Sequence, residues 1–198
     1  MGVIVAGKLI LASESPRRIE LLRLMGLDFE VMPSSIEEMP QKGESPVEHV
    51  LGLSRQKANA ISSRYPDVWI LGADTIVVVN GEMMGKPAHA SEAREMLARL
   101  SGREHYVHTG FTIARKTADV LLGDVVTSSV LFKNISEEEI NWYVRTEEPY
   151  DKAGGYAVQG AGAMFIREIH GSYTNVIGLP LCEAVSLLKR AGAIEFPR

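Results

Sequence analysis

An α/β or α+β fold is what this chain predicts, and three observations carry that expectation. Strand and helix patterns alternate along the whole length, which argues against a bundle or a sandwich. An apolar run from Trp69 to Val79 meets Asn80-Gly81, a strong hairpin signal, and continues into Glu82–Met84. Two serines, Ser45 and Ser136, stand three residues before glutamates, Glu48 and Glu139, as in capping boxes that open helices.

The elements follow in order. Lys8 to Ala12 reads as a strand. Pro16 to Met25 reads as a helix, with Ser15 as its cap, proline at the first helical position and Gly26 as the stop. Phe29–Met32 is a short strand and Pro33–Gly43 a polar, acidic loop. The helix capped by Ser45 runs to about Arg64. Ser91–Leu100 is helical and ends at Ser101-Gly102. Strands are expected near His105–Ala114 and Val120–Phe132, and the helix after Ser136 reaches Arg145. Glu147–Gly162 is a glycine-rich polar loop. Met164–Ile169 and Thr174–Ile177 read as strands, and Pro180–Arg190 as the closing helix. No repeat, linker or low-complexity tract interrupts residues 1–198, so one domain is expected.

The 198 residues carry a net charge of −4, against binding to nucleic acid or to an anionic membrane surface, both of which call for a basic face. One cysteine, Cys182, permits no disulfide within the chain and fits a reducing cytoplasm. The apolar N-terminal stretch, broken by Lys8, is too short for a signal peptide or a membrane span. His105 and His108, three apart in a strand, point to opposite faces and make no zinc site.

Asp74 is the most informative residue. It interrupts an apolar run that would bury both faces of a strand, and an ionised carboxylate there needs a metal, a cation or a set of donors. Either Asp74 ends one strand and begins another at a surface, or it projects into a polar cleft. An Asp bonded to its own backbone at a kink after Gly72 is the purely structural alternative.

Around it stand groups suited to phosphate. Ser13-Glu14-Ser15-Pro16-Arg17-Arg18 places two arginines in a helix's first turn, where acids are favoured unless an anion docks. Ser13 and Ser15 add donors. Lys57 borders the apolar stripe of its helix, the ordinary position of a snorkelling lysine. Lys86, held between Gly85 and Pro87, is placed to reach an anion, although the spacing is not that of a Walker A loop. Gln159, in the glycine-rich stretch, offers both a donor and an acceptor to a base edge. Glu37 and Glu38 are carboxylates that would join Asp74 on magnesium, which takes one or two carboxylates with phosphate oxygens.

At these residues the chain resembles the Maf family of nucleoside triphosphate pyrophosphatases. The matching segments are Ser13–Arg18, Gly72–Thr75, Gly85-Lys86-Pro87, Ser101-Gly102, Asp151–Gly160 and Asn175–Pro180, in the family's order. The resemblance implies an α/β fold of Maf/ITPase-like type: a mixed, strongly bent central sheet flanked by helices, with two lobes around a deep cleft. It implies hydrolysis of a nucleoside triphosphate to monophosphate and pyrophosphate, with Mg²⁺ or Mn²⁺, in a cytoplasmic homodimer. By position, Asp74 matches the catalytic acid, and Asp74 with Glu38 the metal carboxylates. Ser13, Arg17, Arg18, Lys57 and Lys86 match the substrate-binding residues. Arg17, Thr75 and Gln159 match the branch acting on dTTP and UTP, where a sister branch acting on 7-methyl-GTP has an aromatic, a glutamine and a glutamate. Two rival activities are a nucleotide-binding regulator of cell division and a phosphatase releasing orthophosphate.

Overall fold

The computed structural model describes residues 3–36 and 43–197. Nine strands and six α-helices are present among them: β1 (Ile4–Val5), β2 (Leu9–Leu11), α1 (Pro16–Leu24), β3 (Glu30–Val31), α2 (Pro46–Ser62), β4 (Trp69–Val79), β5 (Glu82–Met84), α3 (Ala90–Leu100), β6 (Glu104–Arg115), β7 (Val120–Phe132), α4 (Glu137–Tyr143), β8 (Ile166–His170), α5 (Tyr173–Ile177), α6 (Leu181–Arg190) and β9 (Ile194–Glu195). The main sheet has the order β3-β2-β4-β6-β7-β8, with β5 also paired to β4. It is mixed: β2 lies parallel to β3 and β4, while β4–β5 and β7–β8 are antiparallel. The expected α/β class with a mixed sheet and flanking helices is therefore observed. The small β1–β9 pair has no counterpart in the sequence reading, because two-residue strands carry no periodicity.

The chain divides into two compact units. The first comprises Met1–Asp74, Thr109–Val126 and Gly178–Arg198; the second comprises Thr75–His108 and Thr127–Ile177. Within the first, β2, β4 and α2 enclose a core of Ile10, Ala12, Ala58, Ile61, Ile70 and Ala114. Helix α2 lies on its strands at the closest possible range. A Cβ at Gly72 would stand 2.4 Å from the Ser54 carbonyl oxygen, and one at Gly110 would stand 2.3 Å from that of Val50. Only glycine permits this approach, and a buried Ser54–Thr112 hydroxyl pair, 2.7 Å apart, ties α2 to β6. The Ser45–Glu48 capping box forms as expected, with both of its hydrogen bonds present.

The second unit is built around Val77, Leu97, Val130, Phe132, Tyr143 and Phe165. The Ser136–Glu139 capping box forms, although α4 stops at Tyr143 rather than Arg145. Thr174–Ile177, expected as a strand, is instead part of α5. The reason is local: Ser172 Oγ accepts from the Asn175 amide at 3.2 Å, which starts a helical turn. Asn175 then turns inward and donates to the Val107 carbonyl and to Ser128 Oγ, both at 3.0 Å. Met164, expected at a strand start, belongs to a 3-10 turn over Ala161–Phe165, and β8 begins at Ile166.

His105 is fully buried in this unit, its Nε2 2.7 Å from the Tyr156 hydroxyl and its ring edge-on to Phe132. His108 is partly exposed and bonds Thr127, so the two histidines do diverge, as the strand period requires. Burial lowers the His105 pKa from the ordinary 6.5 to about 4. The unfolded chain therefore binds a proton that the folded chain refuses between those two values. Stability is complete above pH 6.5 and is lost as pH falls towards 4, by about 3 kcal/mol from this one residue. Denaturant titrations across that range should show a shallower pH dependence in His105→Gln than in the unsubstituted protein.

Candidate active site

In the first unit, β2 delivers the chain to α1 through Ser13-Glu14-Ser15. Proline at the first helical position fixes the start of α1, and Ser15 is its N-cap residue, yet no side chain caps the helix and no acid occupies the first turn. That leaves the amide end of the helix with the electrostatics of an anion site. Arg18 is not a solvated first-turn cation. It is buried, its Nε donates to the Gly178 carbonyl at 2.8 Å and its Nη1 donates to Ser13 Oγ at 3.1 Å. Ser13, itself buried, also accepts from the Ser15 amide at 3.3 Å. Ser13 thus orients Arg18 and closes the turn. Arg17, next in the same helical turn, is half-buried.

Asp74 lies on the inner reach of β4, and that strand runs unbroken from Trp69 to Val79. Both the strand break and the kink after Gly72 are therefore corrected: the acid sits within a continuous, largely buried strand. What makes this tolerable is a cation. Lys57 Nζ donates to Asp74 Oδ1 at 2.7 Å, with the two side chains only 7% and 10% exposed. Lys57 is consequently not a snorkelling lysine, because its charge ends inside the unit rather than in water. The contact follows from packing: Gly72 and Gly110 admit the α2 backbone, and Lys57 lies one turn beyond Ser54 on the inward face of that helix.

Thr75, Lys86 and Gln159 belong to the second unit. Thr75 follows Asp74 directly on β4 and is half-buried, whereas Lys86 and Gln159 are exposed. The segment carrying Lys86 is tied to the glycine-rich stretch by a hydrogen bond from the Gly154 amide to the Gly85 carbonyl at 2.9 Å. Tyr156 anchors that stretch through His105. Glu37 and Glu38 lie outside the described residues, and among those described no group of three or more His, Cys, Asp or Glu side chains gathers.

A helix start with no side-chain cap, a buried arginine aligned by serine and a buried lysine–aspartate pair thus all belong to the first unit of this α/β fold. The Maf-like protein family matches residues 8–191, and the chain belongs to it. A relative from Syntrophus aciditrophicus (strain SB), named dTTP/UTP pyrophosphatase, is 60% identical over 189 residues, or 96% of this chain and 92% of that protein. One from Geobacter sulfurreducens, bearing the same name, is 49% identical over 95% of this chain and 98% of its own length. Among solved structures, a HAM1 protein from Coxiella burnetii aligns with a TM-score of 0.50 at 16% identity, covering 92% of this chain and 98% of that one. At that identity the likeness concerns the fold alone.

Sequence reasoning missed three contributors. The Gly178 carbonyl that holds Arg18 is a backbone group. The His105–Tyr156 contact joins distant segments. Glu148 looks like any surface acid in a polar loop.

Removing one partner of a buried ion pair costs about 3–5 kcal/mol, because the other charge is stranded. Lys57→Met should show such a loss in urea denaturation. Combining it with Asp74→Asn should recover part of the loss, giving a non-additive cycle.

Proposed function

We propose that this protein hydrolyses dTTP and UTP, and modified pyrimidine nucleoside triphosphates, to the monophosphate and pyrophosphate. The observation that carries the reading is the buried Lys57–Asp74 pair on β4. A protein that only bound nucleotide would use cations and helix ends and would have no need to bury an acid at a comparable desolvation cost. The names borne by close relatives support the substrate class.

Cleavage between the α- and β-phosphates needs an in-line water and dispersal of growing negative charge. Asp74 is the base or orienting group for that water. In the free protein Lys57 holds Asp74 in place through the hydrogen bond to Oδ1. Phosphate oxygens arriving at Lys57 would compete with Asp74 for its donors. Arg18, prealigned by Ser13 and Gly178, presents a guanidinium at low entropic cost. Arg17 and Lys86 add charge for the triphosphate, while Thr75 and Gln159 read the uracil or thymine edge.

We infer a divalent cation at this site, since magnesium needs only one or two carboxylates alongside phosphate oxygens. Asp74, with Glu38, would hold it. When bound, Mg²⁺ or Mn²⁺ would supply Lewis-acid stabilisation of the phosphate charge. We place the protein in the cytoplasm as a homodimer; no helix among the described residues is long and apolar enough to cross a membrane.

Chromatography of products from UTP and dTTP with Mg²⁺ should show monophosphate and pyrophosphate. Release of orthophosphate, or no turnover, would overturn the assignment. Asp74→Asn should retain nucleotide binding and lose turnover by about 10²–10⁴-fold; near-normal turnover would remove Asp74 from the mechanism. Gln159→Glu, which substitutes an acceptor for a donor, should weaken the preference for uracil over cytosine in kcat/KM.

A further inference from the structure

Glu148 lies eleven residues before Gln159 in the chain, at the start of a 3-10 turn over Glu148–Asp151. Its side chain is half-buried rather than exposed as a loop acid would be. Oε1 accepts from the Tyr143 hydroxyl at 2.8 Å and from the Gly162 amide at 2.9 Å, and Oε2 accepts from the Ala161 amide at 2.8 Å. Three donors from two segments thus meet one acceptor group. Burial pushes the Glu148 carboxyl up, but the Gly162 amide, the Tyr143 hydroxyl, the Ala161 amide and the Lys152 charge outweigh it and lower it overall. The side chain is therefore ionised at neutral pH, the form that can accept from all three.

The fit around this contact is tight. A Cβ at Gly160 would stand 2.5 Å from Glu148 Oε2, and one at Gly162 would stand 2.7 Å from the Tyr143 hydroxyl. Gly160 has an extended backbone, φ −168°, so a side chain there would displace the Glu148 carboxylate without straining the backbone. Gln159, the residue immediately before, is exposed. The stretch around it is thus gripped on both sides: His105 holds Tyr156, and Glu148 holds Ala161 and Gly162.

We infer that Glu148 is a positioning residue for base selection, its carboxylate fixing the turn that presents Gln159 to the pyrimidine edge. The inference rests on the assignment of Gln159 as base reader. An amide that discriminates uracil from cytosine must be held within a fraction of an ångström, since a donor–acceptor pair offset by more than that loses its angular preference. The side chain of Gln159 has three rotatable bonds of its own, so its backbone is the part the protein can hold. Two amide bonds into a charged acceptor do this more firmly than neutral contacts. A neutral glutamine at 148 would set an NH2 group against a backbone N–H and release one end of the turn.

The test compares Glu148→Gln, Gln159→Ala and the double variant by kcat/KM on UTP and on CTP, with thermal melting of each. Glu148→Gln should lower the UTP-to-CTP ratio by about ten-fold, chiefly through a raised KM for UTP with kcat little changed. The double variant should be no less selective than the poorer single one, because both substitutions disable the same reader. A Glu148→Gln protein that stays folded and keeps its ratio while Gln159→Ala loses its own would overturn the positioning role alone. An unchanged ratio in Gln159→Ala would overturn the base-reader assignment and the inference with it. Tyr143→Phe removes one of the three donors without touching the carboxylate, and should shift the ratio in the same direction by less. If Glu148→Gln does not fold, Tyr143→Phe decides the matter, and an unshifted ratio there counts against the inference.

Discussion

The ion pair between Lys57 and Asp74 is the constraint on which the first unit is organised. Two charges removed from water carry a desolvation cost that mutual attraction only partly offsets, so such a pair is poor material for stability alone. Its geometry depends in turn on backbone approach. Helix α2 can bring a lysine to the middle of β4 only because two strand residues have no side chain beneath it. Any atom added at Gly72 or Gly110 would lift the helix and draw the ammonium away from the carboxylate. Packing and chemistry are therefore one requirement here, met by glycines packed against α2.

The second unit solves a different problem. Two of its functional candidates, Lys86 and Gln159, are exposed and lie outside helices and strands, so they depend on what lies behind them. A buried imidazole, a phenol and a half-buried carboxylate hold the glycine-rich stretch through hydrogen bonds, while aromatic rings fill the space beneath. Glycines in that stretch allow the backbone to come close to these groups. Flexible residue types thus produce a fixed turn, because tertiary contacts on either side remove the freedom that composition alone would grant.

Much of this was legible beforehand. Both capping boxes, the proline-led start of α1 and the long strand ending at Asn80-Gly81 carry local signals, and each element appears close to its expected bounds. Asp74 stood out because charge in an apolar run is costly, and that argument also required a partner. The partner's identity was not legible: Lys57 is seventeen positions away in the chain, and the ordinary behaviour of a lysine at a stripe's edge is to reach for water. The Thr174–Ile177 segment failed for a similar reason. Its β-branched residues favour a strand, yet Ser172 and Asn175 make a short helix better bonded. Tertiary hydrogen bonds outweighed propensity there, as they commonly do in short segments.

The guanidinium of Arg18 ends on the carbonyl of Gly178, a partner 160 positions along the chain. A main-chain oxygen is present whatever amino acid occupies the site, so loss of a side chain cannot remove it. Only a change in the path of the backbone can. Gly178 stands at φ 128°, a conformation that side chains rarely adopt, so replacing this glycine would itself be such a change. Insertions, deletions or truncations near residue 178 are then the changes to which this arginine's aim is most vulnerable.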